Sequence, residues 1–159
     1  MTHPKPEPAL SIRGVLVSPE GLILLIKIAG PRGELWITPG GRWESGEKHS
    51  ATLRRELREE LGLTDFDHEG QIWTRRGSHT VEGGPVLEIE HFYLVHTDVF
   101  EPSNAGMEPE ELSRFAEFRW WRIEDVRRSE ERFAPARLGE LLEELVAHGP
   151  PNEIIETGD

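Results

Sequence analysis

The sequence has no cysteine among its 159 residues, which excludes disulfides, thiolate metal sites and cysteine nucleophiles. Positive charge is also scarce, because 18 lysines and arginines stand against 30 aspartates and glutamates, a net charge of −12. A general nucleic-acid-binding surface would be basic, so nucleic acid is not an expected partner. An anionic small molecule stays compatible with this charge, because a bound metal ion reverses the local electrostatics.

Long apolar runs are missing as well. No stretch approaches the roughly 20 apolar residues of a membrane-spanning helix, and the opening MTHPKPEPAL lacks the apolar region of a signal peptide. We therefore expect no membrane partner and a cytoplasmic location. The length, with no repeat and no linker, indicates a single domain. We divide the chain into a flexible proline-rich arm over 1–10, the domain over 11–148, and a tail over 149–159 that is loose or docks on a partner subunit.

Apolar patterns predict a β-rich chain. Residues 11–18 and 22–28 predict a hairpin around the turn Pro19-Glu20-Gly21, and the near-continuous apolar run of its second strand indicates burial on both faces. The other expected elements are strands at 35–37, within 65–74, at 86–97 and at 115–122, a turn at 75–77, loops at 78–85 and 100–112, and helices over 123–128 and 135–147.

One acidic segment, residues 51–61, predicts a helix that ends at Gly62, where a left-handed cap is expected. At about 100° per residue, its three leucines fall within an arc of about 80° and three glutamates within an adjoining arc of about 100°. These residues are Leu53, Leu57 and Leu61, and Glu56, Glu59 and Glu60. The leucines would anchor the helix while the carboxylates point together along its flank.

Three clustered carboxylates repel one another, so the cluster requires counter-charge. Arg55 and Arg58 supply part of it, and a hard divalent cation such as Mg²⁺ would supply the rest. For an arbitrary acidic helix a solvated face is the more common explanation. The residues around this helix favour a functional site instead.

Residues 41–63 resemble the Nudix box, the signature of the Nudix hydrolases, whose pattern is G-x5-E-x7-R-E-U-x-E-E-x-G-U with U aliphatic. Every specified position matches; the matching residues are Gly41, Glu47, Arg55, Glu56, Leu57, Glu59, Glu60, Gly62 and Leu63. The preceding segment, residues 36–40, also resembles the strand-into-loop entry of the family.

The resemblance implies an α/β fold in which a mixed β-sheet is sandwiched between helices (α/β/α). It implies an enzyme, a pyrophosphatase that cleaves a nucleoside diphosphate linked to another group. By motif position, Mg²⁺, with Mn²⁺ as an alternative, would be bound by Glu56, Glu59 and Glu60, with the Gly40 carbonyl completing the site. Arg55 would orient the glutamates. Glu47 would contact metal or substrate, cap the helix, or brace Arg55.

The identity of the general base is open. In some relatives it is the glutamate that follows the box arginine, here Glu56; in others it lies on a later loop, where Glu108, Glu110 and Glu111 are candidates. We prefer Glu56 and also place Arg55 and Glu111 in the catalytic set. For the substrate phosphates we consider Lys27 and Arg32. Lys27 is equally well explained as a strand-end lysine that extends to solvent.

Residues outside the box that indicate the substrate in subgroups of the family give little guidance here. A proline typical of ADP-ribose hydrolases is missing from 76–80, and so is the tyrosine of dinucleoside-polyphosphate hydrolases. We therefore expect a nucleotide substrate, with a nucleoside triphosphate or an oxidised nucleotide first, and ADP-ribose, a nucleotide sugar or a dinucleoside polyphosphate as alternatives. A non-hydrolytic nucleotide sensor and an acidic cation-binding protein are the other classes. A homodimer is left open. Candidates for stacking on a base are Trp43, Trp73, Phe92 and Trp120.

Overall fold

The computed structural model describes residues 9–81 and 84–159. Most of the expected N-terminal arm, residues 1–8, lies outside this part of the chain. Within the described residues the elements, in chain order, are β1 Ala9–Val17, β2 Leu22–Gly30, β3 Gly33–Ile37, β4 Gly40–Arg42, α1 His49–Leu61, β5 Asp67–Val81, β6 Gly84–His96, α2 Pro109–Arg114, β7 Phe115–Arg122, α3 Ile123–Arg128, β8 Phe133–Ala134, α4 Leu138–His148 and β9 Ile155–Glu156.

The strands form one mixed sheet in the order β8-β3-β2-β1-β6-β5-β9, with β4 also paired to β1 and β7 to β2. β1 runs parallel to β6 along nine residue pairs but meets antiparallel β2 only where Val17 faces Ile23. Beyond that point β1 pairs with β4, whereas β2 pairs with β3 and β7. The sheet therefore opens between β1 and β2, and this opening forms the cleft described below.

The apolar run of β2 explains why this strand is central. Its side chains alternate between two separate cores, with Ile23 and Leu25 in one and Leu24 and Ile26 in the other. A strand whose two faces are both covered is expected to read as a continuous apolar run. The expectation of burial on both faces is confirmed.

Helices cover both faces of the sheet, as the family resemblance implied. The leucines of α1 (Leu53, Leu57 and Leu61) pack in the core that contains Ile12 and Leu24, and all are at most 1% exposed. The leucines of α4 pack in the other core with Trp36 and Trp73; they are Leu138, Leu141, Leu142 and Leu145. Both leucine stripes thus anchor their helices, and they position α1 beside the open end of the β1–β2 hairpin.

Two segments differ from the prediction. β5 continues through residues 75–81, where a turn and the start of a loop were expected, because it stays paired with β6 along its length despite two irregularities in register. α2 begins inside the loop expected at 100–112, because Pro109 stands at its first turn and Glu108 and Glu111 form a capping box. β4, β8 and β9 are too short for apolar periodicity to predict them.

The tail over 149–159 is not loose, since it docks on its own chain. β9 pairs in parallel with β5, and the Ala136 N–H donates to the Asp159 carbonyl at 2.7 Å. Arg137 Nε donates to the Thr157 carbonyl at 2.9 Å. Among the helices of the described part of the chain, none has the length and apolar character needed to span a membrane.

Candidate active site

Helix α1 supplies two buried carboxylates. Because Leu57 faces the core, the flanking Glu56 and Glu60 are turned inward and are only 7% and 6% exposed. Glu59 is less buried and lies 3.6 Å from Arg55 Nη1. The helix ends as predicted at Gly62, which is left-handed (φ 73°) and donates its N–H to the Arg58 carbonyl.

The third carboxylate of the site belongs to a residue that is distant in the sequence. Glu111 on α2 places an oxygen close to those of Glu56 and Glu60, and the three ligand atoms lie within 4.8 Å of one another. Its Oε1 also accepts a hydrogen bond from the Glu108 N–H at 3.4 Å. Of the three acids predicted on this later segment, the structure therefore brings Glu111 to the site, whereas Glu108 and Glu110 are exposed.

The two glycines before the helix fit against these carboxylates. The Gly40 N–H donates to Glu60 Oε2 at 2.8 Å. Gly40 has φ 148°, and a Cβ on it would collide with the Ile12 carbonyl. A Cβ on Gly41 would collide with the carboxylate of Glu56. The backbone can approach the acids only because neither residue has a side chain.

We expect Gly41→Ala to lower both activity and stability, because the new methyl group occupies the position of the Glu56 carboxylate. A forced steric clash in a packed site costs about 1–3 kcal/mol. Thermal unfolding and steady-state kinetics would check this. Gly46→Ala is the control: it lies in the loop between β4 and α1, at φ 89°, where an added Cβ meets open space, so any cost there comes from backbone conformation alone. Wild-type turnover in Gly41→Ala would contradict the packing described here.

Arg55 fixes the positions of the Glu47 and Glu56 carboxylates by hydrogen bonds. Its Nε and Nη2 donate to the two oxygens of Glu47 at 3.1 and 2.8 Å, and Nη1 donates to Glu56 Oε1 at 2.8 Å. Nη2 also donates to the Arg42 carbonyl at 3.2 Å. The hydrogen bonds from Arg55 lower the pKa of Glu47 to about 2, so this fork-to-fork pair stays charged at neutral pH. Of the roles considered for Glu47, the contacts show the brace on Arg55.

Burial has the opposite effect on the inner carboxylates. It raises the pKa of Glu56, against the opposing influence of Arg55. It raises the pKa of Glu60 to about 8, even though Arg13 and the Gly40 N–H favour the charged form. Two buried acids whose charges are disfavoured, with a third carboxylate within reach, form an all-oxygen donor set that a hard divalent cation would neutralise. The residues present therefore fit a divalent metal.

These acids lie in a cleft of about 330 Å³ at the opening between β1 and β2. Apolar side chains such as Ile26, Ile28 and Phe115 line the cleft. Three arginines also line it, namely Arg13, Arg42 and Arg114. A cleft with clustered carboxylates and separate cationic side chains can bind a metal ion together with a polyanion.

Two of the predicted substrate contacts do not reach this cleft. Lys27 points to the other side of β2, where Nζ lies 3.6 Å from both Glu34 and Glu131 and 5.5 Å from the centroid of the Trp36 ring. Arg32 lies in the exposed turn between β2 and β3 and is not among the lining residues. Side chains alternate between the two faces of a strand, and Ile26 and Ile28 point to the cleft, so Lys27 between them points to the other face.

The aromatic candidates for base stacking are also placed elsewhere. Trp73 and Phe92 are core residues, each 1% exposed. Trp43 and Trp120 are partly buried and donate their indole N–H groups to the carbonyls of Glu47 and Phe100. None of the four lines the cleft.

Alternation along the strand expected at 86–97 favours a Glu90 that faces solvent, or one that the strand presents to a substrate, and Arg13 was not among the residues singled out from the sequence. Arg13 Nε instead donates to Glu90 Oε2 at 2.7 Å, and Arg75 Nη1 donates to Glu90 Oε1 at 2.6 Å. The available signal was an arginine inside the otherwise apolar strand Ser11–Ser18 (SIRGVLVS). The ring Nδ1 of His91 is buried and has no hydrogen-bond partner within the described residues.

A mixed sheet between helices, with an acidic loop–helix–loop at its opening, defines the class of protein. The family model for the NUDIX domain matches residues 7–145. The chain therefore belongs to the Nudix family and is a pyrophosphatase of that family, as the box over residues 41–63 predicted.

Curated relatives agree with this assignment. The nucleoside triphosphatase NudI of Escherichia coli (strain E24377A) is 34% identical over 117 residues, which cover 70% of this chain and 80% of NudI. NudI of Shigella flexneri matches to the same extent. The nucleoside triphosphatase activity is that of these relatives.

Solved structures show the same fold. The MutT NUDIX hydrolase from Burkholderia pseudomallei has a TM-score of 0.60 at 25% identity, covering 87% of this chain and 98% of its own. The NUDIX domain of Shewanella oneidensis NrtR, solved with ADP-ribose, has a TM-score of 0.65 at 20% identity, covering 89% and 90%. At 20% identity the second likeness concerns the fold alone.

Proposed function

We propose that this protein hydrolyses nucleoside triphosphates, or their oxidised forms, to the monophosphate and pyrophosphate in a reaction that depends on Mg²⁺. The observation that carries the proposal is the convergence of Glu56, Glu60 and Glu111 in a cleft that arginines also line. The 34% identity to a nucleoside triphosphatase favours this substrate class over ADP-ribose, nucleotide sugars and dinucleoside polyphosphates.

In this proposal Glu56, Glu60 and Glu111 hold the cation, with Glu59 beside them and the Gly40 carbonyl as a neutral ligand. A bound Mg²⁺ supplies neutralisation of the phosphate charge, which otherwise opposes attack by water. Mn²⁺ has similar ligand preferences and is expected to substitute for it. Arg55 keeps Glu56 oriented through the 2.8 Å hydrogen bond from its Nη1.

Glu56 is our choice for the general base. The helix and Arg55 fix the direction of its carboxylate, and Gly41 packs against it. Once the site carries added positive charge, Glu56 is ionised at neutral pH and can accept the proton of the attacking water. Arg42 and Arg114, which the described structure leaves without an ion pair, line the same cleft and are placed to bind the phosphate chain.

The proposal is tested by incubating the purified protein with Mg²⁺ and a panel of nucleotides. The panel contains the canonical and oxidised triphosphates, ADP-ribose, a nucleotide sugar and a dinucleoside polyphosphate. We expect triphosphates to be the best substrates by kcat/KM, with pyrophosphate as the released product. Preferred turnover of ADP-ribose would favour the alternative hydrolase, and binding without turnover would favour a nucleotide sensor.

Glu111→Gln is expected to lower kcat/KM by at least about 100-fold at limiting Mg²⁺, because it removes one of three proposed carboxylate ligands and the loss of a group that only orients a ligand already costs about 10- to 100-fold. Glu110→Gln is the matched control, since it makes the same change one residue away on an exposed side chain of α2. Steady-state kinetics at several Mg²⁺ concentrations check this. Equal activity of the two variants would remove Glu111 from the site.

A further inference from the structure

Arg13 lines the cleft, and its guanidinium also makes three hydrogen bonds. Its Nη1 donates to the carbonyls of both Thr38 and Gly40, each at 3.2 Å, while Nε donates to Glu90. The side chain is only 18% exposed. A single guanidinium thus connects a largely buried carboxylate on β6, 14% exposed, to the segment that precedes the box helix.

Glu90 is itself held from its other side. Arg75 on β5 donates to Oε1 at 2.6 Å while Arg13 donates to Oε2. Burial alone would raise the pKa of Glu90, but the two arginines lower it below its usual value. Glu90 is therefore a fixed negative charge that sets the direction of the Arg13 fork.

These contacts continue to the acids of the cleft through one residue. The carbonyl of Gly40 accepts from Arg13, and the N–H of Gly40 donates to Glu60 at 2.8 Å. The pairing of β1 with β4 also places Arg13 directly opposite Gly40. A chain of hydrogen bonds thus runs from Arg75 through Glu90, Arg13 and Gly40 to Glu60.

Electrostatics alone would not favour an arginine at this place. A positive charge close to the carboxylates competes with a divalent cation for them. Removing a charge that acts only as a competitor would tighten cation binding. Removing a group that fixes ligand geometry would weaken it. The two roles therefore predict changes of opposite sign.

We propose that Arg13, clamped by Glu90, is a positioning residue of the hydrolase site: it fixes the segment Thr38–Gly41 so that Gly40 presents its carbonyl and holds Glu60 for the cation. The inference rests on the proposed function in that Glu60 binds the cation. The fork geometry is what matters, because lysine retains the charge but cannot reach Glu90 and two carbonyls together.

The test measures binding of Mn²⁺ to the full-length protein without nucleotide, by electron paramagnetic resonance of the free ion. We expect Arg13→Lys to weaken Mn²⁺ binding about tenfold, the lower end of the effect of losing a group that orients metal ligands. Glu90→Gln is expected to weaken Mn²⁺ binding about threefold, the size of the net loss of one hydrogen bond, because the amide oxygen still accepts from one arginine. Arg127→Lys is the control; this arginine pairs with Glu140 on the exposed α3–α4 surface at 3.3 Å and should bind Mn²⁺ like the wild type.

Thermal unfolding of the same variants separates positioning from a purely structural role. A lower melting temperature with unchanged Mn²⁺ affinity in Arg13→Lys would overturn the proposal, and so would tighter binding in Arg13→Gln. If Arg13→Lys does not fold, Glu90→Gln decides the matter, and wild-type affinity there overturns the proposal. If the wild-type protein binds no Mn²⁺, the proposed function is refuted as well. If the wild type binds Mn²⁺ and hydrolyses nucleotides, and Arg13→Lys binds Mn²⁺ with the same affinity, only the role of Arg13 is refuted.

Discussion

Replacing Glu56 by glutamine is expected to lower kcat by about 10²- to 10⁴-fold, the range that a positioned general base contributes. The reason is that the amide cannot accept a proton from water and carries no charge for a cation. The fold should be intact, because glutamine has the same size against Gly41 and its amide oxygen still accepts from Arg55 Nη1. Steady-state kinetics and thermal unfolding check the two halves of this expectation.

A control variant and a change in Mg²⁺ concentration test the assignment of Glu56 as the general base further. Glu110→Gln makes the same chemical change on an exposed residue and should stay within about twofold of wild type, as surface substitutions usually do. Raising the Mg²⁺ concentration should not restore turnover to Glu56→Gln if this residue takes the proton. Full restoration by metal would show that Glu56 only holds the cation, and near wild-type turnover would remove it from the catalytic set.

Glu60→Gln is expected to produce changes of opposite sign in cation affinity and stability. The substitution keeps an oxygen for the Gly40 N–H but replaces the carboxyl group of a residue that is only 6% exposed with an amide that cannot ionise. Loss of groups that merely orient a ligand costs about 10- to 100-fold in metal affinity, so loss of a ligand charge should cost at least about 100-fold. Without metal, the same variant should be more stable than the wild type at pH 8.5.

The pH dependence follows from the raised pKa of Glu60, about 8, which burial causes. A carboxyl group whose pKa is higher folded than unfolded stabilises the protein fully below its unfolded pKa, and this contribution is lost as pH rises through the folded pKa. The stability of metal-free wild type relative to Glu60→Gln should therefore fall between pH 6 and pH 8.5. Melting temperatures of the two proteins across this range would show it.

Cation binding should show the complementary effect. Below about pH 8 the cation must displace the proton of Glu60, so the apparent affinity for Mg²⁺ in the wild type should fall by about tenfold per pH unit as pH is lowered. Calorimetry in buffers of different ionisation enthalpy would count the released proton. Glu60→Gln should lose most of this dependence. A wild type whose affinity does not change between pH 6 and pH 8 would contradict the assignment.

Local sequence was enough to predict the box helix and its environment. Leucine spacing, the glycine cap and the acidic flank are all set within a few turns of α1, so its inward face and its end at Gly62 could be predicted. The hairpin of β1 and β2 was equally accessible, because a Pro/Gly turn separates two apolar runs. Such features depend on residues that are close in the sequence, so the local residue pattern predicts them.

The contacts that complete the site come from distant segments and have no local signature. Glu111 was placed in the catalytic set as one of three loop acids, but its position beside Glu56 could not be derived from the sequence, because only the folding of α2 against the cleft brings the two together. For Glu90, alternation gives a face of β6 but not the residues that cover this face, so its two arginine partners could not be predicted. Arg13 and Arg75 reach it from strands 77 and 15 residues away.

The central claim is that Glu56, Glu60 and Glu111 together hold a divalent cation against the phosphates of a nucleotide. A crystal structure of the protein with Mg²⁺ and a non-hydrolysable nucleoside triphosphate tests it most directly. We predict a cation bonded to oxygens of these glutamates and to the phosphate chain in the cleft between β1 and β2. A nucleotide bound elsewhere, or a cation that contacts none of the three acids, would contradict the account.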